Sequence, residues 1–309
     1  MVEQLRLKER LRETFGKYVD PRVVEGLIEG PALAAEGQRR VMTVLFCDMK
    51  GFTSLSEGMT PQGLVKVMNH YLSTMSGPIR NHHGIIDKYI GDAIMAFWNA
   101  PLHDPAHEIN ACEAALEMLR RVEALNQQRE QQAKETGQRF LPIKVGVGLN
   151  TGRCVVGNMG SDLRFNYSVL GDSVNLAARL EGQSKFYGVP IIIGSKTAQA
   201  VREKFAVLEM DFITVKGKTE PETVYTILGG ADVARSDRFQ RIHHAIGEML
   251  ACYRQRDFDG AGKSIVRCRE ADDGFGLENI FDLYTARLQS FRQTPPAADW
   301  NGAFVLETK

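Results

Sequence analysis

Residues 84–98, GIIDKYIGDAIMAFW, contain two apolar runs with only Gly91 and Asp92 between them. Runs joined by so short a glycine turn are predicted to pair antiparallel as a hairpin, because a parallel crossover needs a dozen or more residues. A second such junction is read at Thr151–Gly152, between predicted strands at 143–149 and 153–158. Each hairpin follows an amphipathic helical pattern, at 61–82 and at 107–132, and a strand over 41–47 precedes the first of them. A chain that alternates helices with hairpins is expected to build an antiparallel or mixed sheet.

A second pass of pattern follows: helix 172–182, strand 189–193, helix 195–204 and a strand pair at 206–215 and 222–228. The expected class is therefore α+β, a ferredoxin-like mixed or antiparallel sheet flanked by helices. Ahead of it, Leu7, Leu11, Phe15 and Val19 recur at steps of four, which predicts an N-terminal helix within 1–30 before a small-residue, basic linker over 31–40. After Gly229–Gly230 the pattern turns wholly helical over 235–292. There Tyr253, Phe258 and Ala261 occupy the aromatic and small positions of a tetratricopeptide-like helix pair, too short for a solenoid and expected to dock on the main domain or a partner. Pro-rich residues 295–302 carry Trp300, read as an anchor for the tail. Three regions result: a helical linker at 1–38, a main domain at 39–230 and a helical extension at 231–309.

Composition narrows the function by exclusion. Lys plus Arg and Asp plus Glu number 38 each, so no global charge draws the chain to nucleic acid or anionic lipid. Five cysteines without a CxxC spacing indicate neither a disulfide framework nor a zinc site, which fits a reducing cytosol. No apolar run approaches the roughly 18 residues of a membrane span, so the expected location is cytoplasmic, either free or as the cytosolic part of a membrane-anchored protein.

Two acids stand where apolar strands end: Asp48 in VLFCDMKGFTSLSE, and Asp92 in the hairpin turn. Alone, each is an ordinary helix-approach or turn residue. Together, on adjacent strands, two carboxylates repel unless a cation lies between them, and hard oxygen ligands suit Mg²⁺ or Mn²⁺ with phosphate oxygens completing the shell. Gly51, Phe52 and Thr53 follow Asp48 at a helix start, where backbone N–H groups can face an anion. Asn175 and Arg179 are four apart on one helical face, which is either a solvated face or an amide and guanidinium set to hold a substrate oxygen and a phosphate. Lys216 and Lys218 flank Gly217 in what also reads as a charged hairpin tip.

FCDMKGFTSLSE, DKYIGDAIMAFW, IKVGVGLNTG, VLGDSVNLAARLE and VKGKTEP, in this order and spacing over roughly residues 40–228, resemble the class III nucleotidyl cyclase catalytic domain. That family joins its site across a head-to-tail dimer, and the resemblance implies a homodimer with two shared sites. Asp48 and Asp92, with the Met49 carbonyl, would bind two divalent cations, Mg²⁺ or Mn²⁺. Lys144, where many relatives carry arginine, would contact the triphosphate from the same subunit. From the partner subunit Asn175 would orient the ribose, Arg179 would stabilise the transition state, and Lys216 rather than Lys218 would hold the terminal phosphates. The implied reaction is attack of the ribose 3′ hydroxyl on the α-phosphate, giving a cyclic 3′,5′-monophosphate and pyrophosphate.

The family's base-reading positions are Lys88 and Ser168 here. Lysine donates to adenine N1, whereas guanylyl cyclases typically carry glutamate there, so ATP is the implied substrate. Ser168 departs from the aspartate of many adenylyl cyclases, and a hydroxyl can donate as well as accept. The resemblance also implies an upstream sensor or membrane domain joined through the N-terminal helix. The rivals are guanylyl cyclase activity, a catalytically dead nucleotide-binding module, and a scaffold built on the C-terminal helices. The remaining features read as structural: His82–His83 close a helix, His103 and His107 are a solvated surface pair, and Met42, Met49 and Met95 belong to the core.

Overall fold

The computed structural model describes residues 20–23, 37–57, 59–137, 139–161, 164–214 and 220–305. The N-terminal helix expected over 1–30 falls almost wholly outside the described residues, as do Lys216 and Lys218. A nine-stranded mixed sheet organises the rest. Its strands are β1 (Gln38–Lys50), β2 (Ile85–Ile90), β3 (Ala93–Trp98), β4 (Lys144–Ser161), β5 (Arg164–Leu170), β6 (Ile191–Gly194), β7 (Val207–Thr214), β8 (Glu222–Ile227) and β9 (Phe304–Val305). They lie in the order β2-β3-β1-β4-β6-β8-β7-β9, with β5 paired to β4 off this path. The β4–β6 and β7–β9 pairings are parallel and the others antiparallel.

Alternation along β1 separates the two layers. Leu45, Cys47 and Met49 enter one core, together with residues of α2 (Pro61–Asn81), α3 (His107–Thr136) and α5 (Ser195–Val201). Met42, Val44 and Phe46 pack on the opposite face with Val174 and Ala177 of α4 (Asp172–Tyr187). The period of two places Asp48 and Lys50 on the α4 side. Helix starts are supplied locally: Thr60 caps α2 by accepting from Gly63 N–H at 3.2 Å, with Pro61 at the first helical position.

Three expectations are corrected. Thr151–Gly152 is no turn, since β4 runs unbroken through it, with Thr43 opposite Thr151 and Met42 opposite Gly152 on β1. Thr151 is buried, with its hydroxyl 2.8 Å from that of Thr43 and 2.9 Å from that of Thr197. The glycines serve close approach instead. A Cβ on Gly152 would collide with the Ser173 side chain, and one on Gly148 with the backbone of Ala177 and Glu181, so α4 can lie flush on the strand only where side chains are missing. Second, β1 continues two residues past Asp48 to Lys50, opposite Lys144, before Gly51 at φ 74° turns the chain into the single-turn helix α1 (Phe52–Ser56). Third, His107 is no surface residue: it is 7% exposed, its Nδ1 lies 2.7 Å from the Thr43 hydroxyl, and burial lowers its pKa. His103 instead pairs with Asn99, at 3.0 Å. Strand β5 was not among the predicted elements.

The C-terminal residues form α6 (Ala231–Ala234), α7 (Asp237–Arg254), α8 (Phe258–Ala271) and α9 (Glu278–Gln293). They share one core with Leu176, Leu180 and Tyr187 of α4 and with β7, and β9 adds a strand beside β7. Trp300 anchors this tail, with its ring centroid 5.3 Å from those of Tyr253 and Phe291 and its N–H donated to the Ala303 carbonyl at 2.7 Å.

Candidate active site

The β2–β3 turn, held by Gly91 at φ 66°, brings Asp92 beside the end of β1 because β3 pairs with β1 through Ile94 and Cys47. There the Asp48 and Asp92 carboxyls meet. Partial burial, a hydrogen bond that the protonated Asp48 donates to Asp92 and the Asp92 charge push the Asp48 carboxyl up to about 6, against a hydrogen bond from Met49 N–H at 2.9 Å that favours its charged form. Two carboxyls close enough for the charge of one to raise the other are the donor set a hard divalent ion would take. Among the described residues no cluster of three or more His, Cys, Asp or Glu forms a cage from protein alone. A metal held here therefore needs further oxygens, from the backbone, water or substrate.

Beneath the pair lie Cys47 and Tyr71, both fully buried, with the thiol 3.7 Å from the phenol. Burial pushes the Cys47 thiol up to about 12, so it stays protonated as part of the floor. On the α4 side stands Glu181, a residue the sequence reading passed over. Burial and then the Asp48 charge raise it to about 7, with Lys50 opposing. Lys50, assigned no role from the sequence, donates to the Val189 carbonyl at 3.3 Å, and burial lowers its pKa. It lines a cleft with Lys144, Glu123, Asn126 and Pro190. Lys144 is thus on the same end of the sheet as Asp48, two register steps away on β4. Exposed Gly51 and Thr53 and half-buried Phe52 start α1 at this end, and the N–H groups of such a first turn have no intrahelical acceptor.

Asn175 and Arg179 fall within α4, the first exposed and the second half-buried. The Arg179 Nη1 is buried without a hydrogen-bond partner among the described residues. Lys88 and Ser168, 80 positions apart in sequence by difference, are brought together. The β4–β5 arm folds so that the Tyr167 ring lies 6.2 Å from that of Phe97, and Ser168 donates to Asp87 Oδ2 at 2.6 Å. Lys88 Nζ is 3.6 Å from the same oxygen.

The chain matches the Adenylate and Guanylate cyclase catalytic domain family over residues 35–229. It belongs to this family. Its curated relatives include the adenylate cyclase of Anabaena cylindrica, 37% identical over 230 residues, which cover 72% of this chain and 44% of that protein. Adenylate cyclase 1 of Rhizobium meliloti (strain 1021) is 32% identical over 218 residues, covering 70% of this chain and 32% of the relative. The chain thus spans less than half the length of these relatives. Among solved structures, the adenylyl cyclase CyaB from P. aeruginosa superposes with a TM-score of 0.57 at 34% identity, over 62% of this chain and 95% of that one. The guanylyl cyclase Cya2 does so with a TM-score of 0.56 at 35% identity, over 63% and 94%. The expected α+β fold holds. Overall identity does not separate the two base specificities, so the choice of nucleotide rests on individual side chains.

Proposed function

We propose that this chain is an adenylate cyclase that works as a homodimer, converting ATP to cyclic 3′,5′-AMP and pyrophosphate at two sites shared between subunits. The observation that carries the reading is the Asp48–Asp92 pair, whose raised carboxyl and short oxygen supply fit divalent cations completed by triphosphate oxygens. When bound, two such ions would acidify the ribose 3′ hydroxyl and offset charge on the phosphates. Asp48, Asp92 and the Met49 carbonyl would hold them. Lys144, with the N–H groups of Gly51, Phe52 and Thr53, would face the phosphates from the same subunit. Asn175 of the other copy would orient the ribose, and its Arg179, whose buried Nη1 has no partner among the described residues, would offer a guanidinium to the charge that develops on the α-phosphate. Lys216 of that copy would meet the terminal phosphates.

Exposed apolar side chains support the dimer: Tyr89 and Ile90 at the end of β2, and Val155, Phe165 and Leu170 on the β4–β5 arm, are each at least 38% exposed. Each chain carries both halves of the site, so two equal copies suffice. Regulation would come from a sensor or membrane segment beyond this chain, with the reaction on the cytoplasmic side. No helix among the described residues is long and apolar enough to cross a membrane.

The test is to offer the purified chain ATP or GTP with Mg²⁺ or Mn²⁺ and to separate the cyclic products by chromatography. Cyclic AMP in clear preference is expected. Preference for cyclic GMP contradicts the base assignment, and a folded dimer that makes neither product contradicts the enzyme reading.

A further inference from the structure

Strand β2 is irregular at one point: Ile86 opposes Ala96 and Lys88 opposes Met95, so Asp87 is an extra residue without a partner of its own on β3. Such a bulge re-aims a side chain and recurs beside active sites. The Asp87 side chain is fully buried, an expensive place for a carboxylate. Its Oδ2 collects both base-reading candidates, the Ser168 hydroxyl at 2.6 Å and the Lys88 ammonium at 3.6 Å, while Oδ1 has no partner among the described residues. Ser168 is itself 5% exposed, whereas the Lys88 side chain is 43% exposed and reaches outward.

We propose that Asp87 is a specificity-determining positioning residue that converts Ser168 into an acceptor-only reader of the nucleobase. A serine hydroxyl has one proton and two lone pairs. With the proton committed to Asp87 in a short, charge-assisted bond, only lone pairs remain to face a ligand. Lone pairs match the exocyclic amino group of adenine and oppose the carbonyl oxygen that guanine carries at the same ring position. Asp87 also draws the Lys88 ammonium, a donor suited to adenine N1 and not to the N1–H of guanine, to within 3.6 Å. One buried carboxylate thereby acts on both contacts. It removes the ambiguity of a serine, which alone would tolerate either base.

This inference rests on the adenylate cyclase reading, and one experiment separates the two. The ratio of kcat/KM for ATP to that for GTP is measured in the full chain and in the variants Asp87→Asn and Asp87→Asn/Ser168→Asp. Asparagine is isosteric, and its amide can donate to Ser168, freeing the hydroxyl to donate to guanine. The expected result is a fall in the ratio of about 10- to 100-fold, the scale of one mispaired buried polar contact. Aspartate at 168 accepts without help, so the double variant regains most of the preference. Affinities for 3′-deoxy-ATP and 3′-deoxy-GTP, which cannot cyclise, give the same ratio independently of turnover, and thermal unfolding confirms that the variants fold.

A ratio that stays within about twofold of the parent in Asp87→Asn overturns the inference and leaves the adenylate cyclase reading standing. Equal losses toward both nucleotides that the double variant does not repair overturn it too, as the mark of a structural role. A parent chain that prefers GTP overturns both readings together.

Discussion

Asp48→Ala is expected to abolish turnover, by about 10³-fold or more, equivalent to some 4 kcal/mol of transition-state stabilisation, while leaving the dimer intact. The loss is large because the residue has no substitute. Among the described residues no third acid, cysteine or histidine completes a metal cluster, and Glu181, which feels the Asp48 charge, projects from α4. The fold should not suffer. Asp48 is only partly buried, and its charge sits beside that of Asp92, so alanine relieves a repulsion. The same repulsion gives a pH signature. The Asp48 carboxyl, raised to about 6, must lose its proton before a cation binds, so divalent-ion affinity weakens as pH falls through that value and binding releases protons. Titration of Mn²⁺ into the parent chain and the variant, with product assays beside it, checks both statements. An Asp48→Ala chain that keeps its activity contradicts the metal assignment.

Arg287→Ala is expected to cost about 3–5 kcal/mol of stability, the range for breaking a buried ion pair from one side. Arg287 of α9 and Asp211 of β7 are 4% and 1% exposed and meet at 2.7 Å. Asp211 also accepts from the hydroxyls of Tyr187 at 2.8 Å and Tyr284 at 2.9 Å, and the guanidinium lies 3.7 Å from the Phe304 ring centroid. Removing the arginine strands a carboxylate among tyrosines. Tyr187 ends α4, the helix that carries Asn175 and Arg179, so the C-terminal helices brace that helix through this network. Chemical unfolding of Arg287→Ala and of Asp211→Asn/Arg287→Met checks the account. The double variant, which buries no unpaired charge, should lose much less than the single one. A single variant that loses under about 1 kcal/mol, as an exposed bridge would, contradicts it.

What could be read from the chain follows the range of each interaction. Asp92 was legible because its turn is local: two apolar strands and a glycine announce it within fifteen residues of sequence. The strands and helices of the main sheet were legible for the same reason, through their periods. Gly148 and Gly152 were not, since a glycine needed for the close approach of a helix looks like one needed for a turn. The unbroken course of β4 was hidden for that reason. Asp87 gave no signal, because a bulge is a property of pairing and its partner Ser168 stands on a strand that was not foreseen. Arg287 and Asp211 lie 76 positions apart, and nothing local marks either as half of a buried pair. His107 read as surface until α3 placed it against Thr43.

Mixing two inactive variants shows whether a second copy of the chain completes each site, as proposed. Asp48→Ala lacks the metal half and Arg179→Ala the partner half. Co-assembled in equal amounts, half of the dimers should be hybrids holding one intact site and one doubly damaged site. Activity is expected to return on mixing, to about a quarter of the parent value on simple statistics. Folded mixed dimers that stay as inactive as either variant alone would contradict it.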